Sequence, residues 1–285
     1  MKTIVLLNNK GGVGKTATVT TVSHMLATVY DKRVLIVDMD PQGNTSNLFG
    51  TTDFVSLIRS RVEGSSETEE RSVGDLLIDA AADPRAAIKH TKYENLDLLP
   101  SLPTLAAVEE KLKADIIHPQ QFRLSAQLAK VEEDYDFCLI DCGPSLSILN
   151  INALVAADEV YIPSLPDNGS LFGIELTISE LVQEVQQYSR NLKIGGIFLT
   201  KYKNFNVTKF ASELLEAVYG QMLLPITIRD NIAVAECSHK HLPLLAYDNK
   251  IQHRATRDYL DLTGYIAAAD RKSYLRTLKN RREHN

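Results

Sequence analysis

The sequence predicts an α/β fold, a mostly parallel twisted sheet with helices on both of its faces. Short apolar runs alternate along the chain with longer stretches of helical periodicity, which is typical of parallel sheets. The runs are apolar at nearly every position, which indicates strands buried on both faces. The 285 residues, 44% of them hydrophobic, are enough for a large core without disulfide or metal support.

Six strands and six helices are predicted from this alternation. The strands are expected at 3–7, 33–38, 96–100, 136–141, 159–163 and 194–200. The helices are expected at 15–30, 104–113, 119–134, 146–157, 170–189 and 206–219. Connections of this size suit right-handed crossovers. No linker divides the chain, so we expect one domain over residues 1–285, with a polar insertion near 59–71 and a basic C-terminal helix near 271–282.

Composition excludes several classes of protein. The three cysteines, Cys138, Cys142 and Cys237, form no C-x-x-C pair, so neither a disulfide framework nor a zinc knuckle is indicated. No apolar stretch approaches the ~20 residues of a membrane span. The apolar run before Asn8 is too short for a secretory signal. We therefore expect a cytoplasmic protein, whose net charge of −5 still permits local basic patches.

The stretch NNKGGVGKT, residues 8–16, joins the first predicted strand to the first predicted helix. This strand–loop–helix context supports a phosphate-binding loop of the G-x-x-x-x-G-K-[ST] type. Asn9 stands where the first glycine of that pattern belongs, and Lys10 adds a second lysine. In such a loop Lys15 reaches the β- and γ-phosphates and Thr16 binds Mg²⁺. Nucleotide contacts are predicted at Gly11, Gly12, Val13, Gly14, Lys15, Thr16 and Ala17.

Acidic residues follow two of the predicted strands. Asp141 ends an apolar strand, as expected of an aspartate that holds Mg²⁺, often through water. Asp38 and Asp40 lie two residues apart and would project to one face at the rim where ligands bind in open α/β sheets. We therefore predict Thr16, Asp38 and Asp141 as the metal-binding set. Asp40 is placed to position the water that attacks the γ-phosphate.

Four stretches together resemble the ParA/Soj/MinD class of deviant Walker-A ATPases over roughly residues 1–268: KGGVGKT, VLIVDMDPQGN, DFCLIDCGPS and IRDNIAVAEC. Within that class, DPQGN and ENLDLLPS are closer to the ParA/Soj branch. The resemblance implies a P-loop NTPase fold, ATP and Mg²⁺ as cofactors, and a homodimer that closes around two nucleotides. It also implies that Lys10 reaches across to the partner's phosphates, that Lys15 acts within its own chain, and that Asp40 positions water.

Two features depart from the usual pattern of that class. Gly143 replaces the first proline of D-C-P-P-S, and we expect it to loosen this switch. At the base-binding end, Arg229 and Asp230 stand where P-R-N is common, so they are candidate adenine contacts. Thr200 and Lys201 are the alternative candidates for the base.

A basic surface is expected in the C-terminal part of the chain. The run DRKSYLRTLKNRREHN carries six basic and two acidic residues. Three interpretations remain open for it: a DNA surface, a solvated helix end whose cations complement the helix dipole, and a membrane helix, for which its apolar stripe is thin. The candidate DNA contacts are Lys201, Lys203, Lys240, Lys250, Arg254, Arg271, Lys272 and Arg276. They show no recognition-helix pattern, so sequence-independent binding is expected.

The resemblance implies an ATP-dependent DNA-partitioning ATPase. Its ATP-bound dimer would bind non-specific double-stranded DNA in the nucleoid, without a membrane, and a ParB-like centromere-binding partner would stimulate hydrolysis and release. The alternative is a MinD-like ATPase that positions itself on membranes. A third possibility is a metabolic ATPase related to cobyrinate or dethiobiotin ligases, against which DPQGN speaks.

Overall fold

A computed structural model of the chain describes residues 1–50, 70–189 and 191–283. The insertion expected near 59–71 lies almost wholly outside these residues. Within them the sheet has eight strands in the order β3-β4-β2-β5-β1-β6-β7-β8, and all neighbours are parallel except β3 and β4. The strands are β1 Lys2–Leu6, β2 Val34–Asp38, β3 Lys89–His90, β4 Leu96–Leu99, β5 Phe137–Asp141, β6 Glu159–Ser164, β7 Lys193–Tyr202 and β8 Leu223–Arg229. The predicted fold class is confirmed.

The helices connect these strands and cover both faces of the sheet. They are α1 Lys15–Tyr30, α2 Asn44–Leu48, α3 Val73–Ile78, α4 Leu105–Ala114, α5 Arg123–Leu128, α6 Ile148–Val155, α7 Asn168–Leu176, α8 Gln183–Gln186, α9 Asn206–Tyr219, α10 Ile232–His239, α11 Leu244–Tyr247, α12 Arg254–Ala267 and α13 Arg271–Glu283. A π-helical segment, Thr177–Val182, joins α7 to α8. Short 3₁₀ turns occur at Pro84–Ala86, Gln120–Phe122 and Ala129–Val131.

Alternation along the strands divides the interior into two cores. On β1, for example, Val5 faces one cluster and Ile4 and Leu6 face the other, as the two-residue period of a strand requires. The first core is packed by α3 to α9, and the second by α1, α2 and α10 to α13. Because both faces of the central strands are covered, those strands are apolar throughout, which is the pattern that the sequence shows.

The register of the central strands sets the functional edge of the sheet. β5 lies between β1 and β2, with Leu6 opposite Asp141 on one side and Asp38 opposite Asp141 on the other. All three strands are parallel, so their carboxyl ends meet at one edge. The loop after β1 therefore emerges beside both aspartates, which is where ligands bind in open α/β sheets.

Some predicted elements differ from the observed ones. The helix expected at 119–134 is broken into α5 and two flanking 3₁₀ turns. The strand β8 is not among the predicted elements, and its sequence LLPITIR contains Pro225, which is atypical of an interior strand. β8 lies at the edge of the sheet, where a missing N–H donor is tolerated.

Candidate nucleotide-binding site

The loop between β1 and α1 has the backbone of a phosphate cradle. Gly12 and Gly14 adopt φ values of 73° and 89°, the left-handed region that a β-carbon disfavours. Gly14 is the N-cap residue of α1 and supplies no side-chain cap, so the first N–H groups of that helix remain available to an anion. The loop therefore provides both the backbone donors and the helix-dipole end that bind phosphate.

Two asparagines at the start of the loop, Asn8 and Asn9, anchor it to neighbouring elements. Asn8 is buried, and its amide nitrogen donates to the Pro163 carbonyl (2.8 Å) while its oxygen accepts the Lys10 N–H (2.8 Å). The Asn9 N–H donates to the Thr177 hydroxyl at 3.0 Å. These bonds tie the start of the loop to β6 and to the helix that follows it.

A cleft of about 710 Å³ opens beside this loop, within the usual range for small-molecule sites. Most of the predicted nucleotide contacts line it: Gly11, Gly12, Gly14, Lys15, Thr16, Ala17, Asp40, Thr200, Lys201, Arg229 and Asp230. Val13 is fully buried and is not part of the cleft lining. Lys10 lies outside the cleft lining, as do Asp38 and Asp141.

Lys15 lies folded against its own loop. Its ammonium donates to the carbonyls of Asn8 (3.0 Å) and Lys10 (3.2 Å), and the side chain is largely buried. Burial lowers the pKa of this amine, and the nearby carboxylates of Asp141 and Asp40 oppose that shift. When a nucleotide binds, phosphate oxygens could take the place of the two carbonyls as acceptors for the Lys15 ammonium. Hydrogen bonds to these anionic oxygens are stronger than those to neutral carbonyls.

The two strand-end aspartates form a fully buried carboxylate pair. Burial is the main cause that raises the pKa of both carboxyl groups. The charge of Asp141 raises the pKa of Asp38 further, whereas the hydrogen bond from Thr45 and the nearby Thr16 hydroxyl oppose the shift at Asp141. Asp38 Oδ2 accepts from the N–H and hydroxyl of Ser46 (2.9 and 2.7 Å), and its Oδ1 accepts the Asp40 N–H (3.1 Å). Hydrogen bonds thus engage both oxygens of Asp38.

Asp141 differs from Asp38 because one of its carboxylate oxygens accepts no hydrogen bond. Its Oδ2 accepts the Thr45 hydroxyl at 2.7 Å, while its Oδ1 is buried and has no hydrogen-bond partner. Carboxylate and hydroxyl oxygens are the ligands that Mg²⁺ prefers, and the ion usually keeps several ligands from water and phosphate. Thr16 and Asp141 therefore fit a Mg²⁺ ion, whereas Asp38 fits a supporting position. Within residues 1–50, 70–189 and 191–283, no group of three or more His, Cys, Asp or Glu is arranged to hold a metal.

Asp40 is held at the edge of the cleft. Its carboxylate accepts the Gln42 N–H (3.0 Å), and its carbonyl accepts the Ser101 hydroxyl (2.8 Å). A β-carbon added to Gly143 would stand 3.4 Å from the nearer Asp40 carboxylate oxygen, so the glycine gives this side chain room. The carbonyl of Gly143 also accepts the Asn150 amide at 2.9 Å, which anchors a segment that the sequence suggested would be loose.

Lys10 is held within its own chain. Its ammonium lies 2.8 Å from both carboxylate oxygens of Asp167, the N-cap residue of α7, and 3.4 Å from the Ser170 hydroxyl. Gly173 allows α7 to pack this closely, because a β-carbon there would lie 3.0 Å from Asn8 Oδ1 and 3.2 Å from Lys10 Cβ. No local sequence signal links Lys10 to a carboxylate 157 positions away.

The four candidates for the base line the cleft in different surroundings, and we call the part lined by Arg229 and Asp230 its base end. The Thr200 hydroxyl is buried and donates to the Val13 carbonyl (2.8 Å), so it supports the loop. Arg229 is bound to Asp258 through two guanidinium nitrogens (2.9 and 2.6 Å), and Asp230 pairs with Lys203 (3.1 Å). Lys201 is exposed and adopts φ 49°.

Sequence reasoning missed several residues that line this end of the cleft. They come from α2, from β8 and α10, from the turn after α10, and from α12: Asn47, Leu48, Ile228, Val234, Ala235, Ser238, His241 and Tyr259. Ile228, Val234 and Ala235 lie within the stretch IRDNIAVAEC, but no ligand role was predicted for them, and the others lie outside the four stretches that carry the resemblance.

The candidate DNA contacts fall into two groups. Lys240, Lys250 and Arg254 are exposed between α10 and the first turn of α12, and Lys201, Lys203, Lys272 and Arg276 are also exposed. Arg271 is different. Its guanidinium makes two hydrogen bonds to Glu159 (2.9 and 2.7 Å) and lies over the Tyr161 and Tyr265 rings. This placement speaks against a role for Arg271 in contacting phosphate.

The remaining predictions concern cysteines and membranes. Cys138, Cys142 and Cys237 are buried and unpaired, as expected of packing residues. In the part of the chain that the structure describes, no helix is both long and apolar enough to cross a bilayer.

Comparison with known proteins agrees with this geometry. A family model described as an AAA domain matches residues 1–194. The sporulation initiation inhibitor protein Soj of Bacillus subtilis is 33% identical over 268 residues, covering 94% of this chain and 98% of Soj. The chromosome partitioning protein ParA of Myxococcus xanthus is 30% identical over 91% of this chain and 85% of its own length. An ATP complex of Cyanothece McdA shares the fold, with a TM-score of 0.79 at 22% identity over 95% of this chain and 98% of that one.

Proposed function

This chain belongs to the ParA/Soj family of ATPases, and from that premise we propose that it is an ATP-dependent DNA-partitioning ATPase with a single catalytic domain. The observation that carries the proposal is the pair of lysines on one loop. Lys15 is bound inside the cleft, whereas Lys10 points away from it to the rim formed by α7. A lysine that lies outside its own cleft is available for the nucleotide of a second protomer.

We assign a residue to each step of ATP hydrolysis. The loop N–H groups and Lys15 bind the phosphates, and Asp40 at the cleft edge orients the attacking water. Thr16 and Asp141 would hold Mg²⁺, which when bound neutralises charge on the phosphates. Lys10 of the second protomer adds positive charge where negative charge develops, as an arginine finger does. Dimer formation and hydrolysis then depend on one another.

DNA is the proposed ligand of the ATP-bound dimer. The exposed cations Lys240, Lys250 and Arg254 form no ion pair among the residues described, although the Lys240 ammonium lies over the Tyr247 ring (4.8 Å), and we propose that all three contact phosphates. Contacts of this kind are sequence-independent and weaken as salt concentration rises. A ParB-like centromere-binding partner would accelerate hydrolysis and so release the dimer from DNA.

The test of this function compares DNA binding with ATP, ADP and no nucleotide. We expect retention of a non-specific plasmid fragment only with ATP and Mg²⁺. The double substitution Lys250→Ala/Arg254→Ala should weaken DNA binding at every DNA sequence. Lys111→Ala is the control and should not weaken it, because Lys111 is exposed on α4 at the other face of the sheet. Binding to anionic vesicles but not to DNA would instead favour the MinD-like alternative. Equal DNA binding with and without ATP would contradict the proposed cycle.

Lys10→Ala tests the two-lysine argument directly. The variant should still bind ATP, because Lys15 and the loop N–H groups are intact, but it should lose stimulated hydrolysis. Asp40→Ala should bind ATP, dimerise and stay on DNA, because only the water-positioning carboxylate is missing. Normal hydrolysis by Lys10→Ala in the presence of DNA and the partner would refute the proposed role of Lys10.

A further inference from the structure

One hydrogen bond connects two segments that line the base end of the cleft. His241 follows α10 in a turn with φ 53°, and its Nδ1 lies 2.9 Å from the carbonyl oxygen of Asn47 in α2. A carbonyl can only accept, so Nδ1 carries the donated proton. Both residues line the cleft, although they are 194 positions apart in the chain.

The partner of His241 belongs to a helix that is anchored at the opposite end of the site. α2 has five residues, and two of them bond to the buried carboxylates: Thr45 to Asp141 (2.7 Å) and Ser46 to Asp38 (2.7 and 2.9 Å). Ser101 adds a further bond from its N–H to the Ser46 hydroxyl (2.9 Å). The Asn47 carbonyl is therefore a fixed acceptor, and the bond from His241 closes onto a rigid rim.

We propose that His241 is a nucleotide-retaining residue, whose bond to Asn47 bridges the base end of the cleft and slows the release of bound nucleotide. This inference rests on the proposed placement of ATP in the cleft. The segments on either side of the bridge line that end of the cleft: Asn47 and Leu48 from α2, and Val234 and Ser238 from α10. Opening of the His241–Asn47 bond would let these segments separate, and a base seated between them would then leave more easily.

The position of His241 separates this role from a structural one. The residue is exposed, so its side chain contributes little apolar burial to the core. Losing the imidazole should therefore change nucleotide release and leave the stability of the fold nearly unchanged, since surface substitutions away from such packing have small effects. A single intramolecular hydrogen bond of ordinary strength corresponds to roughly a two- to tenfold change in a rate constant.

Stopped-flow release of mant-ATP and mant-ADP, chased with excess unlabelled nucleotide in Mg²⁺, measures this role. We expect His241→Ala to release both nucleotides about two- to tenfold faster than the unaltered protein. His241→Gly should do the same; it removes the imidazole while favouring the left-handed backbone, so a loop distorted by alanine cannot explain the result. His241→Gln, which keeps an N–H donor on a longer side chain, should release at close to the original rate.

His239→Ala is the matched control, because His239 is an exposed histidine at the end of α10 that does not line the cleft. Its release rate should not change. Release at the original rate by both His241→Ala and His241→Gly would overturn the inference while the proposed function stood. If the unaltered protein bound no mant-nucleotide at all, the proposed function itself would fail, which distinguishes the two outcomes.

Discussion

The ion pair between Lys10 and Asp167 opposes dimer formation if Lys10 must reach the nucleotide of a second protomer. The two side chains are 30% and 46% exposed, so solvent screens the pair and its contribution is about 0.5–1 kcal/mol. Asp167 is charged at neutral pH: partial burial acts to raise its pKa, but hydrogen bonds from Lys10 and Ser170 lower it below its ordinary value. Two such pairs break per dimer, at a cost of about 1–2 kcal/mol.

Asp167→Asn should therefore strengthen the ATP-bound dimer by about five- to thirtyfold. Asparagine removes the charge but still caps α7, because it can accept the Ser170 N–H that Asp167 now accepts at 2.8 Å. The measurement is sedimentation equilibrium with ATP and Mg²⁺ in an Asp40→Ala background, so that hydrolysis does not dissolve the dimer during the run.

The matched control for this prediction is the same substitution in a Lys10→Ala background. Without the lysine there is no pair to break, so Asp167→Asn should leave the dimer constant unchanged there. If Asp167→Asn in the Asp40→Ala background gave a dimer no stronger than Asp40→Ala alone, the reasoning would be refuted. That result would mean that Lys10 stays bound to Asp167 of its own chain in the dimer, or that it does not contact the nucleotide of the second protomer.

Two further predictions concern the stability of the fold. Arg271→Ala should lower the free energy of unfolding by about 1–2 kcal/mol in denaturant titrations, because Glu159 loses its two-bond partner and is left with Lys2 (3.2 Å) as its counter-ion. The neighbouring Lys272→Ala should change it by under ~0.5 kcal/mol. In EDTA, the unfolding temperature of the unaltered protein should fall relative to that of Asp38→Asn as pH rises from 5 to 8. Burial, together with the charge of Asp141, raises the folded-state pKa of Asp38 above the unfolded value near 4. The native state therefore binds the Asp38 proton more tightly than the unfolded state does, and it loses stability as rising pH removes that proton. If the unfolding temperatures of the two proteins changed in parallel with pH, this prediction would be wrong.

The residues that the sequence proposes for the phosphate end lie near one another in the fold, and there is a physical reason for this. The loop, Asp38 and Asp141 each follow a buried strand, and parallel strands bring their carboxyl ends to one edge. Local patterns therefore suffice to place groups that are about 100 residues apart. The opposite case is Arg271, which counts as one more cation in a basic run until the fold places it against Glu159, 112 positions away.

The base end could not be predicted in the same way. It is built from the last turns of short helices and the turn at His241, and the contacts there join residues with no shared periodicity. β8, which leads into this region, is an edge strand interrupted by Pro225, so its own pattern is weak. The polar insertion expected near 59–71 lies almost entirely outside the described residues and stays a prediction.

The resting positions of the two lysines suggest an order of events. Lys15 donates only to carbonyl oxygens, which bear partial charge. The oxygens of a phosphate that enters the cleft are stronger acceptors and should displace these carbonyls from the ammonium. Lys10 donates to a full carboxylate, which competes with a phosphate on nearly equal terms. ATP should therefore capture Lys15 as soon as it binds to a single chain, whereas Lys10 leaves Asp167 only when a second protomer presents its phosphates. The two lysines thus separate nucleotide binding from dimer formation, although they lie five residues apart on one loop.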